Sequence, residues 1–175
     1  MSWLQHLIRP KRRKLLARAE KLHASIIQKA RSPELFGEEL IPDTLEGRFN
    51  AVTLYSALVL SRLERIGAEA RPLSTALNEV VFSGVDGGLR ETGVGDASIA
   101  RKVRKLGESF VGIGKAIHEA LLLGESTEDA LTDVIIRNGV TPESGARTIA
   151  SWLAKDHLRL SETTDQDVLR GQVLW

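Results

Sequence analysis

At 175 residues, 42% of them apolar, the chain is long enough to bury a core of its own, and a formal net charge of +1 gives no overall electrostatic pull toward a polyanion. The absence of cysteine removes disulfides, thiolate metal sites and cysteine nucleophiles together. The apolar runs are too short and too broken by charge to supply the about 20 residues that cross a bilayer, so membrane contact is expected to be peripheral.

Residues 1–18 carry Arg9, Lys11, Arg12, Arg13, Lys14 and Arg18 with no acidic residue, preceded by Trp3, Leu4, Leu7 and Ile8. Three readings stay open. A mitochondrial transit peptide has such arginines, but this stretch is poor in serine and its helical pattern runs on through Leu22 and Ile27. An anchor on an anionic membrane, or a contact with ribosomal RNA, fits an apolar tip beside cations. A solvated helix start needs no function.

The first helix is expected from Pro10 or Lys11 to about Ala30, since proline suits the first helical position and Pro33 forbids continuation. A loop between Pro33 and Pro42 follows. Asp43 or Thr44 then caps a helix in which Leu45, Phe49, Val52, Tyr55, Val59, Leu63 and Ile66 recur at threes and fours, and Gly67 closes it. Leu54 to Leu60 is apolar on nearly all sides, which marks this as the central helix. A third helix opens at Pro72 or Ser74, and Gly84, Gly87 and Gly88 predict a kink, a break or a close backbone approach within it.

The next corner is tightly specified. Gly93 suits a left-handed helix end, Gly95 is a second permissive position, and Asp96 is an N-cap for the long helix that Ile99, Val103, Leu106, Phe110, Ile113, Ile117 and Leu121 trace to Gly124. Asp86 and Arg90 lie four apart and can pair on the incoming helix. Arg101, Lys102, Arg104 and Lys105 oppose the dipole of the outgoing one, which suggests an acidic partner group, within the fold or on another molecule; a solvated face is the commoner reading of such a run. Arg48 is in the same position on its own helix, and Asp86 and Asp96 are its candidate carboxylates. Ser126 or Thr127 opens a short helix to Asn138 and Gly139, and Thr141 with Pro142 opens another to about Leu160. Residues 161–175 read as a polar, partly mobile tail, with the terminal Trp175 as the one feature that leaves docking open as the alternative.

The fold expected is all-α: one domain of about six helices, with a basic lead over 1–21, a helical body over 22–160 and a tail over 161–175. Chemistry is hard to find in it. Gly93 and Gly95 lack the third glycine and the strand of a dinucleotide fingerprint, and the Gly107 to Gly112 spacing puts Ile113 where a phosphate loop needs lysine. His6, His23, His118 and His157 sit on separate segments without metal-ligand spacing, and there is no nucleophile elbow. These patterns point to no enzyme, no cofactor, no small-molecule substrate and no DNA, but to a helical adaptor with an apolar groove and a charged rim.

The runs Ile41-Pro42-Asp43-Thr44-Leu45-Glu46-Gly47-Arg48-Phe49 and Leu89-Arg90-Glu91-Thr92-Gly93-Val94-Gly95-Asp96, in that order, resemble the ubiquinol-cytochrome c chaperone family. Gln28 to Pro33 and Leu58 to Leu63 add to the likeness, which covers about Leu22 to Ala120 and fades in the last third. Phe36-Gly37 and Phe110-Val111-Gly112-Ile113 depart from the pattern, losing an aromatic and a cation. The resemblance implies a non-enzymatic assembly factor for the respiratory cytochrome bc1 complex whose partner is newly made cytochrome b. It implies a bacterial relative in the cytoplasm or loosely on the inner membrane face, or a mitochondrial protein if eukaryotic. Arg101, Lys102, Arg104, Lys105 and Phe110 are then the partner-binding candidates. Asp43, Gly47, Arg48, Phe49, Asp86, Arg90, Gly93, Gly95 and Asp96 are the structural motif. Arg9, Lys11, Arg12, Arg13 and Lys14 are candidates for membrane or ribosome contact.

Overall fold

The computed structural model of the chain describes residues 3–91 and 96–175, with side chains over 11–84 and 101–175. Among the described residues there are seven α-helices and no strand: α1 (Trp3–Ala30), α2 (Leu45–Ile66), α3 (Arg71–Glu91), α4 (Asp96–Leu121), α5 (Thr127–Arg137), α6 (Glu143–Glu162) and α7 (Asp165–Leu169). The all-α expectation holds, with α7 as the helix beyond six. Five residues are too few for a hydrophobic period to reveal α7 in the sequence.

Helix α2 is the centre. Leu54, Leu58, Val59 and Leu63 are each exposed by 1% or less, and the helix contacts α1, α3, α4, α6 and α7. Its ends follow the sequence signals: Thr44 Oγ1 accepts from the Gly47 amide at 3.1 Å, and Gly67 takes φ 92° at the far end. Ala19, Leu22, Ile26 and Ala30 of α1 and Leu73, Leu77 and Val81 of α3 cover one side. Phe110, Ile113 and Ile117 of α4 cover another, and α5 and α6 pair to close the end.

Two helix boundaries differ from expectation. Helix α1 starts at Trp3, so Pro10 lies within it, and it runs across residue 21 without interruption. Helix α3 starts at Arg71 and continues to Glu91 through all three glycines. At Gly84 a Cβ would make only ordinary contact with the His23 ring of α1, at 3.6 Å, so no close backbone approach accounts for this glycine.

The segment after α6 departs from a partly mobile tail because buried groups tie it down. Arg62 of α2, 8% exposed, donates to the Leu160 carbonyl at 3.3 Å and the Thr163 carbonyl at 2.8 Å, and pairs with Asp165 at 2.5 Å. It thereby adds to the Thr163 amide as a donor to the Leu160 carbonyl and supplies a donor to the Thr163 carbonyl just past the end of α6. Trp175 donates its indole N–H to Ser25 Oγ at 2.7 Å and meets the buried Tyr55 ring edge-on at 5.4 Å. Nearby, Lys29 pairs with the buried Asp156 at 3.0 Å. Burial first, and then the Asp156 carboxylate, push the Tyr55 phenol far above its ordinary value, so it stays neutral.

Candidate functional site

An open groove of about 490 Å³ runs between α1, α2, α3 and α4. Its walls are apolar because the facing helix stripes are: Ala24 and Ile27 from α1, Val52 from α2, Val81 from α3 and Leu106 from α4. The polar side chains of its lining are His23, Arg31 and Arg48. Burial, and secondarily the Arg31 charge, lower the His23 pKa, so the imidazole presents itself neutral near pH 7.

The structure explains the Asp43 to Phe49 run as one device that contributes to the groove's lining. Gly47 sits so close under the Pro42 carbonyl that a Cβ would overlap it, which locks the loop onto the first turn of α2. Arg48 donates to both Asp43 oxygens, at 2.6 and 3.1 Å, and its guanidinium lies 5.7 Å from the centre of the Phe36 ring. Arg48 is therefore paired, as its opposition to the helix dipole suggests, and among the described side chains its carboxylate is Asp43 of its own segment. The side chains of Asp86, Arg90 and Asp96, and Gly93 and Gly95 altogether, lie outside the described residues. Phe49 is buried and faces Phe110 across 6.5 Å.

Arg101, Lys102, Arg104 and Lys105 are exposed on the early turns of α4, upstream of and beside the groove-lining Leu106. Their acidic neighbours are within the fold and distant: Lys105 Nζ is 4.0 Å from Glu46 and Arg104 is 3.9 Å from Glu108. Phe110 is 5% exposed and packs edge-on to Phe82 at 5.0 Å, so most of its ring belongs to the core, and what it still shows lines an opening between α2, α3 and α4. Lys11, Arg12, Arg13 and Lys14 are exposed on α1, and the Arg9 side chain lies outside the described residues.

A second hollow of about 500 Å³ lies between α2, α3 and α4, and it holds an arrangement that sequence spacing could not reveal. Ser61 Oγ is 2.9 Å from His118 Nδ1, and His118 Nε2 is 3.4 Å from Glu64. The order imitates a nucleophile, a base and an orienting acid. Ser61 is nonetheless 4% exposed and mid-helix, where the neighbouring amides are spent on α2 itself and none is left to stabilise an oxyanion. The three residues act as a tie between α2 and α4. Among the described residues no group of three potential metal ligands is gathered, and no helix is long and apolar enough to cross a membrane.

The sequence profile for the ubiquinol-cytochrome C chaperone matches residues 40–175. The chain belongs to the ubiquinol-cytochrome c chaperone family. The match includes both motif runs and continues through α5, α6 and α7, further toward the C-terminus than the motifs alone suggest, and it begins later, after α1. The crystal structure of the Cbp3 homolog from Brucella abortus shares the fold of this chaperone, with a TM-score of 0.80 and 24% identity over 98% of this chain and 96% of that one. No curated protein matches the chain. Residues of the Asp43 to Phe49 device, Leu45, Arg48 and Phe49, line the apolar groove between α1 and α4.

Proposed function

We propose that this chaperone is a non-enzymatic assembly factor for the cytochrome bc1 complex and holds newly made cytochrome b. The observation that carries the reading is the open apolar groove between α1 and α4 in a chain of this family. An apolar client segment buries surface there worth about 25 cal/mol per Å². Arg31 in the lining, and the four cations of early α4 beside it, suit the acidic or polar loops that flank such a segment.

Ala24 lines the groove from an exposed position, so Ala24→Trp fills it without disturbing the core. The variant is expected to melt with the parent yet recover much less cytochrome b from a translation mixture. In a deletion strain the cytochrome b absorbance should be lost while cytochrome c is unaffected. Full capture by Ala24→Trp would exclude the groove as the client site, and an unchanged cytochrome b spectrum in the deletion strain would exclude the function.

A further inference from the structure

Helix α1 meets the core only along its later turns. Ala19, Leu22, Ile26 and Ala30 are buried, whereas Lys11, Arg12, Arg13 and Lys14 are exposed at four successive positions, on every side of the helix. Lys14, Arg18 and Lys21 then follow one another at spacings of four and three, on one stripe.

The chain beyond α7 returns to that stripe. Gly171 adopts φ +85°, and a Cβ on it would stand 2.5 Å from the Arg18 carbonyl oxygen, so backbone packs directly on backbone. This contact brings Arg170 alongside Lys14, Arg18 and Lys21 around a cleft of about 360 Å³, completed by Ala17 and Gln172. Arg170 has Asp167 at 3.6 Å, and among the described residues Lys14, Arg18 and Lys21 make no ion pair. Cations gathered from two distant parts of the chain repel one another unless an anion joins them.

We propose that this cleft is a phosphate site that seats the protein on the headgroups of an anionic lipid bilayer. The proposal goes beyond the client reading and does not depend on it. Two features favour lipid over nucleic acid. Trp3, Leu4, Leu7 and Ile8 occupy the first two turns of the same helix, and Leu16 is 38% exposed among the cations, which suits entry into an interface. The cleft has no aromatic residue on which a base would stack. A polybasic surface of this kind binds an anionic leaflet with an affinity that falls as salt screens it.

The full chain is sedimented with vesicles of phosphatidylcholine containing phosphatidylglycerol, and with vesicles of phosphatidylcholine alone. The expected result is binding to the first only, reduced by salt, and weakened by about tenfold or more in Arg18→Gln/Arg170→Gln. Lys14→Gln/Lys21→Gln, which leaves Arg170 and its Asp167 contact in place, should weaken it similarly and guards against a folding defect in the first variant. Both variants are expected to capture cytochrome b like the parent. No anionic-vesicle binding, or binding that neither variant weakens, overturns the proposal. Variant-sensitive binding to an RNA duplex without vesicle binding overturns the lipid assignment.

Discussion

Gly47 and Gly145 are each pressed against a backbone carbonyl, of Pro42 and Glu39 respectively, so neither position has room for even one methyl group. The obstacle is main chain and cannot rotate aside, and Gly47→Ala and Gly145→Ala should each destabilise by about 1–3 kcal/mol or more, read as a lower denaturant midpoint. The Arg48–Asp43 pair, though bidentate, has both side chains more than half exposed, and Arg48→Gln should leave the midpoint nearly unchanged. His23 and His157 behave differently because they are half-buried. Burial first, then Arg31 and Arg65 respectively, hold their pKa values below 6.5. The unfolded chain binds protons there more readily than the folded one, so stability is full above about pH 6.5 and falls as the pH drops through the window down to the folded values. The melting temperature should fall between pH 7 and pH 5, and by less in His23→Gln/His157→Gln; an equal fall in parent and variant would assign the acid sensitivity to carboxylates.

At the scale of helices, what the sequence disclosed was local. The Thr44 cap, the Gly67 and Gly139 ends at φ 92° and 60°, and the α2 and α4 stripes all rest on spacings of seven residues or fewer, where helical geometry fixes which residues are neighbours. The ties between elements rest on none. Ser61 and His118 are 57 residues apart, Arg62 and Thr163 are 101 apart, and Ser25 and Trp175 are 150 apart, so no period could announce them. A helical adaptor needs an apolar groove, but the walls of this one come from four helices, a combination that no single stripe announces, and Phe110 belongs to the core. Arg62 gives a test of how firmly the last segment is held. Arg62→Leu strands the Thr163 carbonyl and leaves Asp165 without its cation, and should cost about 3 kcal/mol, with hydrogen exchange over residues 163–175 rising more than over α2. Equal protection in parent and variant would mean that the Trp175 docking and the Gly171 packing on Arg18 hold the segment without Arg62.

For the whole molecule, the four α4 cations are the remaining test of how a client is met. Arg101→Gln/Lys102→Gln/Arg104→Gln/Lys105→Gln removes only exposed charge and should melt with the parent. Lower recovery of cytochrome b would assign these residues to the client, and full recovery would leave them as a solvated face. The docking of Trp175 on Ser25 also sets a schedule. Synthesis at about 5–20 residues per second puts roughly 8–30 s between the emergence of these partners, which are 150 residues apart. Through that interval α1 lacks the cover that the last segment provides, and the groove's first wall is in solution before its other three. A chaperone whose own opening helix waits so long for its final contact passes through a stage at which it, too, exposes apolar surface at the ribosome.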